Sequence, residues 1–176
     1  MPISVIPAER EHYERIVDYF LKADSKFLNG MGVDPAVLPA REVWLQRLYE
    51  NHTKPMPEKN IFYVIWHVDG EPIGHSNVNK IAFGQEAYMH LHMWQPHTRK
   101  RGLGLQLVHQ SIPYYFENFD LKELYCEPYA LNPAPNKTLA KLGFEFIKQY
   151  ETVPGVISFP QPVNRWILRR SRFIPG

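Results

Sequence analysis

At 176 residues the chain suits a single domain over residues 1–176 with a real core, and a formal net charge of +2 gives no reason to expect a nucleic-acid or membrane partner. One cysteine, Cys126, excludes an intrachain disulfide. The opening MPISVIPAER lacks a signal-peptide apolar core and no apolar run could span a bilayer, so a soluble cytoplasmic protein, monomeric or homodimeric, is expected.

In chain order, Ile3 to Ile6 reads as a short strand and Ala8 to Leu21 as a helix with Tyr13, Ile16, Val17, Phe20 and Leu21 on one face. Lys22 to Pro39 is punctuated by Asn29-Gly30, Gly32, Pro35 and Pro39 and reads as loop or broken helix. Ala40 to Glu50 is the second helix, striped by Trp44, Leu45, Leu48 and Tyr49. Ile61 to Val68 and Pro72 to Ile81 are strands joined by Asp69-Gly70, a hairpin signal. On the second of these, Ile73, His75, Asn77 and Asn79 share a face too polar for a core, as the floor of a cleft would be. Glu86 to Trp94 is the fourth strand. Gly102 to about Asn118 is a helix with Leu105, Val108, Ile112 and Tyr115 at helical spacing; Pro113 predicts a kink near His109. Lys122 to Glu127 is a strand. Asn132 to Phe144 is a short helix with Asn132 as cap, proline in its first turn and Gly143 as stop. Phe144 to Thr152 and Val163 to Arg170 close the chain as strands, with a proline-bearing loop from Val153 to Pro162 between them.

The chemistry centres on Trp94 to Gly104, a strand-to-helix turn. An open helix N-terminus presents unpaired N–H groups and the positive end of its dipole, which suits a pyrophosphate. Gly102 and Gly104 let backbone approach an anion, and Arg99, Lys100 and Arg101 add charge. The turn lacks the third glycine of a dinucleotide fingerprint, since Leu107 holds that place, and it lacks the Gly-Lys-Ser/Thr of a P-loop. A plain tight turn with solvated cations, or a small basic nucleic-acid patch, are the competing readings.

The Arg-x-x-Gly-x-Gly pattern of Arg99 to Gly104 resembles the coenzyme A-binding motif of the GCN5-related N-acetyltransferase (GNAT) family. Asn132 to Phe144 is similar to that family's Asn…Lys-x-Gly-Phe segment, and looks most like the RimJ/RimL-like branch that acetylates the N-termini of ribosomal proteins. The resemblance implies a mixed α/β fold: a mostly antiparallel sheet of about seven strands, splayed between the fourth and fifth, with about four helices. It implies acetyl-CoA as co-substrate, no metal, and an amine acceptor. The pantetheine arm would lie in the splay. Main-chain groups of His92, Met93 and Trp94 would pair with it, the turn from Arg99 through Leu103 to Gly104 would take the pyrophosphate, and Asn132 and Asn136 would add polar contacts. Asn132 as a plain cap is the alternative. Leu139 stands where other branches carry a tyrosine acid, and Pro135 where this branch often has serine; Thr138 is a poor substitute for either hydroxyl.

Amine acetylation needs a neutral amine, a base for its proton and donors at the developing oxyanion. His90 is the expected base, directly or through water, with His75 and Tyr88 next. Phe27, Trp44 and Phe159 are expected to rim the acceptor pocket, or else to be core. Two other readings stand beside these: the three histidines as a metal site, and a non-catalytic acyl-CoA-binding module on the same fold. Cys126, inside an apolar strand without an evident base, reads as an inert thiol rather than a nucleophile.

Overall fold

The structure is a computed structural model that describes residues 1–95 and 102–176. One sheet holds seven strands: β1 (Ile3–Pro7), β2 (Ile61–Val68), β3 (Glu71–Ala82), β4 (Glu86–Met93), β5 (Glu123–Cys126), β6 (Glu145–Thr152) and β7 (Gln161–Arg169). Their order is β1-β2-β3-β4-β5-β7-β6, and every neighbouring pair is antiparallel except β4 and β5. The helices are α1 (His12–Leu21), α2 (Ser25–Gly30), α3 (Arg41–His52), α4 (Leu103–Phe119) and α5 (Pro133–Lys141).

Most expected elements appear within a few residues of their predicted ends. The β2–β3 hairpin turns on Asp69 and Gly70 with φ of 51° and 81°, the left-handed pair that a two-residue hairpin loop requires. One helix exceeds the expected number. In α2 the Asp24 carboxylate accepts from the Phe27 amide at 2.7 Å, and this cap starts a short helix in the stretch that reads as loop or broken helix. It ends before Gly32, at φ +83°. α4 continues as one helix through Pro113.

The sheet's two faces are used differently. On one, Val64, Trp66, Val78, Met89 and Leu124 form a buried cluster with Leu107, Val108, Ile112, Tyr115 and Phe119 of α4. The Trp66 indole N–H donates to Ser111 Oγ at 2.9 Å, which satisfies the one polar atom of a side chain only 2% exposed. On the other face α1 and α3 cover β2, where Tyr13, Ile16, Val17, Phe20, Leu45 and Leu48 pack with Tyr63 and Ile65. Farther along this face, β3 and β4 present the cross-strand pairs His75–His92, Asn77–His90 and Asn79–Tyr88. Close approach of these two strands depends on Gly74. A Cβ there would sit 2.6 Å from the His92 carbonyl oxygen and 3.0 Å from the Trp66 ring.

The parallel ladder between β4 and β5 covers only Glu86–Glu123, Ala87–Leu124 and Tyr88–Tyr125. Beyond it β5 ends at Cys126, shortly before Pro128, while β4 runs on against β3 to Met93. The strands therefore part. The Cys126 thiol donates to the Met89 carbonyl at 3.0 Å, so a side chain takes the first main-chain acceptor past the ladder. Burial holds that thiol's pKa far up, which agrees with an inert group.

Candidate active site

The parting strands open into a cleft of about 1120 Å³. One end is bounded by β4 from Met89 to Met93, by Gly104 and Val108 of α4, and by Asn132, Ala134, Pro135 and Thr138 at the start of α5. Its other end lies among Tyr19, Phe20, Phe27, Trp44 and the loop Pro154 to Ser158, over a floor of His75, Asn77, Asn79 and His90. The loop is tied down. Asp34 N–H donates to the Ile157 carbonyl at 2.8 Å, and Gln161 Nε2 donates to the carbonyls of Gly32 at 2.7 Å and Phe159 at 3.0 Å.

Strand geometry decides which main-chain groups face the splay. Trp94 N–H donates to the Ile73 carbonyl at 2.8 Å, so alternate residues of β4, His90 and His92 included, direct their backbone groups at β3. Leu91 and Met93 direct theirs the other way, as Met89 does toward Cys126. Of the main-chain groups expected to meet an arm in the gap, those of His92 and Trp94 thus turn to β3, while that of Met93, with Leu91, turns to the gap. Trp94's indole is engaged too, donating to His75 Nδ1 at 2.8 Å.

At the head of α4, Gly102 is the N-cap at φ +69° and ψ 2°, with no side-chain cap bond. Gly102 itself has no side chain with which to cover the amides of the helix's first turn. Gly104 lines the cleft, and Leu103 is buried in the core at 7% exposure, so it contributes backbone rather than side chain. Arg99, Lys100 and Arg101 lie outside the described residues.

The two asparagines of α5 separate. Asn132 stands at the N-cap position without a side-chain cap bond, and it lines the cleft; the plain-cap reading fails. Asn136 is fully occupied. Its Nδ2 donates to the carbonyls of Asn132 at 2.8 Å and Tyr129 at 3.2 Å, while its Oδ1 accepts from Asn164 Nδ2 and Trp166 Nε1, each at 2.9 Å. Two donors and two lone pairs are an amide's whole capacity, so Asn136 has nothing left for a bound arm. It clasps α5 to β7. Replacing it with leucine strands those partners, and chemical denaturation is expected to show a loss of about 2–4 kcal/mol. A loss below about 0.5 kcal/mol, the range of ordinary surface changes, would show the clasp to be dispensable. Leu139 is completely buried, so α5 supplies no hydroxyl there, and the Thr138 hydroxyl donates to the Ala134 carbonyl at 3.1 Å.

The three histidines share one face of the sheet but differ in chemistry. His75 is 1% exposed and its ring stacks on His92 at 4.8 Å. Its Nδ1 accepts from the Trp94 indole, a donor only, so the neutral ring carries its proton on Nε2 and has no lone pair to offer. Burial pushes its pKa well below the usual value, with the charges of His92 and His90 adding to this. His75 is therefore not a base. His90 Nε2 lies 2.9 Å from Asn79 Oδ1; the carbonyl oxygen accepts, so Nε2 bears the proton and Nδ1 keeps its lone pair. Packing around the ring, with the charge of Lys80 second, pushes its pKa to about 4. That corrects the expectation of an imidazole titrating near neutrality. Among the described residues no group of three His, Cys, Asp or Glu could hold a metal ion.

Tyr88 does not line the cleft. Its hydroxyl accepts from Arg165 at 3.3 Å and its ring stacks on Tyr125 at 5.3 Å. Phe27 and Trp44 line the cleft, whereas Phe159 packs edge-on against Tyr129 behind it, at 5.7 Å. Sequence reading passed over Glu127, which lines the cleft with a side chain 6% exposed. It also passed over Gln161, whose 1% exposure marks a structural tie. Neither stood in a recognisable pattern, since each acquires its place only through distant strands.

A parallel pair that splays over an open helix N-terminus is an arrangement for an extended ligand with a phosphate end. A family model of the acetyltransferase (GNAT) domain matches residues 4–145. The chain belongs to the GNAT acetyltransferase family. No curated protein matches it. Solved GNAT structures share its fold at low identity. A ribosomal-protein-S5-alanine acetyltransferase from Vibrio fischeri superposes with a TM-score of 0.74 at 18% identity, covering 98% of this chain and 96% of that one. A spermidine N-acetyltransferase from Vibrio cholerae, in complex with CoA and spermine, gives 0.76 at 16%, covering 97% and 96%. The ribosomal L7/L12 α-N-protein acetyltransferase RimL, in complex with coenzyme A, gives 0.75 at 15%, covering 95% and 93%. No helix among the described residues of this GNAT domain is long and apolar enough to cross a membrane.

Proposed function

We propose that this protein moves an acetyl group from acetyl-CoA directly to a primary amine, on a small molecule or at a peptide or protein N-terminus. The observation that carries the reading is the continuous cleft. It joins the splay and the α4 N-terminus at one end to the aromatic pocket at the other, with His90 on its floor. Coenzyme A in the two GNAT structures that share this architecture supports its ligand assignment. The arm runs in the splay against Leu91 and Met93, and the pyrophosphate sits at Gly102 to Gly104. The amine enters from the pocket of Tyr19, Phe27 and Trp44. His90 Nδ1 takes the proton lost as the amide forms, directly or through water.

The acceptor is a monoamine or an N-terminus rather than a polycation. Three carboxylates line the cleft and each has one partner already: Asp24 caps Phe27, Glu50 accepts from Gln46 Nε2 at 2.8 Å, and Glu127 pairs with Arg165 through Oε2, which leaves its Oε1 for a single ammonium. The cations Lys26, Arg47 and Lys54 line it as well. The test is a panel of polyamines, aminoglycosides, amino acids and peptides, read by release of free coenzyme A. Monoamines or peptides are expected to lead. Polyamines as the best acceptors would overturn the charge argument, and acetyl-CoA binding with no acceptor turned over would point to a non-catalytic acyl-CoA module.

A further inference from the structure

We infer that Glu127 is the acceptor-side anchor, a carboxylate that receives the incoming ammonium and balances the positive charge on nitrogen as the amide forms. The inference rests on the proposed acetyl transfer and adds a residue to it. Tyr88 of β4 pairs with Tyr125 of β5, and the two strands run parallel. His90 stands two residues farther along β4 on that face, and Glu127 two residues past Tyr125, just beyond the end of β5, so each lies where the strands part and both line the cleft.

The two carboxylate oxygens are not equivalent. Oε2 accepts from Arg165 Nη1 at 3.3 Å and from the Tyr150 hydroxyl. Arg165 is itself held, with Nη2 donating to the Tyr88 hydroxyl at 3.3 Å and its guanidinium 4.2 Å over the Tyr125 ring. Among the described residues Oε1 has no hydrogen-bond partner, although only 6% of the side chain is exposed. A carboxylate with one oxygen fixed and the other open retains acceptor capacity, and the cleft it lines is where a donor can come from. Asp24, in the turn before α2, and Glu50, on α3, are exposed and bonded locally, whereas Glu127 is at the splay.

The chemistry closes with both residues in place. The amine docks as an ammonium on Oε1 and gives one proton to solvent. Its lone pair then forms the C–N bond, and the thioester C=O pair moves onto oxygen while nitrogen becomes positive beside Glu127. The N–H proton passes to His90 Nδ1. As the intermediate collapses the C–S bond breaks, sulfur takes the electron pair, and the proton on His90 goes to the thiolate. A neutral imidazole cannot supply the negative charge that Glu127 places beside nitrogen.

The test compares an alkylamine acceptor, cationic at pH 7, with an arylamine that arrives uncharged. In Glu127→Gln, kcat/KM for the alkylamine should fall about 10- to 100-fold, the value of a hydrogen bond to a charged group, while the arylamine, which loses the charge balance at nitrogen but no ammonium dock, falls several-fold less and acetyl-CoA affinity is kept. Equal losses for both amines, or none, would overturn the anchor, because a purely structural Glu127 does not discriminate acceptor charge. If Glu127→Gln fails to fold, Glu127→Asp keeps a partner for Arg165 and draws Oε1 back by one methylene, and the same comparison applies. A wild type that binds no acetyl-CoA and acetylates neither amine would overturn the parent reading and the anchor with it.

Discussion

Gly104→Val is expected to weaken acetyl-CoA binding by about 10- to 100-fold, the equivalent of losing one or two hydrogen bonds to a charged group, with the fold intact. The position separates binding from folding. Among the described residues a Cβ at Gly104 would meet nothing closer than Met93 Cε at 4.0 Å, which leaves room for a side chain on that side. In intrinsic helix propensity valine is no worse than the glycine it replaces. The methyls would instead fill the space in which a pyrophosphate must approach the amides. Gly102 is the poorer test, because its φ of +69° is left-handed and any side chain there strains the turn before a ligand arrives. Calorimetry with acetyl-CoA, paired with a thermal melt, reads both quantities. Unchanged affinity in Gly104→Val would move the phosphate away from the α4 N-terminus.

The parts of this site that were legible in the sequence are those set by local geometry. Asp69-Gly70 between two alternating runs gave the β2–β3 hairpin, and glycine spacing after an apolar strand placed the start of α4. Alternation put His75, Asn77 and Asn79 on one polar face, and that face is the cleft floor. What stayed hidden depends on contacts between distant segments. Asn132 and Asn136 look alike at the start of one helix. Only Asn164 and Trp166 of β7 decide that the second is consumed and the first left over. Glu127 carries no motif, and its place in the cleft follows from where the parallel ladder of two strands separated by a helix ends. The α2 segment could be read only as loop or broken helix, because a capped segment of six residues has too few turns for a periodic stripe. Packing around a ring is likewise invisible in a string of letters, which is why the titration of His90 could not be foreseen.

His90→Ala is expected to lower turnover by about 10²-fold or more, the usual contribution of a positioned base, with acetyl-CoA affinity kept. The pH dependence carries the sharper expectation. With the ring's pKa pushed down to about 4, Nδ1 is free of a proton across the physiological range. The limb due to His90 should therefore fall near pH 4, below any limb due to the acceptor amine, and not near neutrality. Removing the ring should then lower the rate across the neutral range by a constant factor without moving the limb that belongs to the amine. Stability gives an independent reading of the same group. The folded-state pKa lies below the ordinary 6.5, so the unfolded chain binds the proton more readily. The contribution is fully present above about pH 6.5 and is lost as pH falls toward 4, and the wild type should melt progressively lower over that window. In His90→Ala this part of the decline should disappear, leaving a flatter curve between those limits. Near-normal turnover in His90→Ala would hand the proton to another group or to solvent. A decline in melting temperature as steep as that of wild type would show that the ring is not the group titrating.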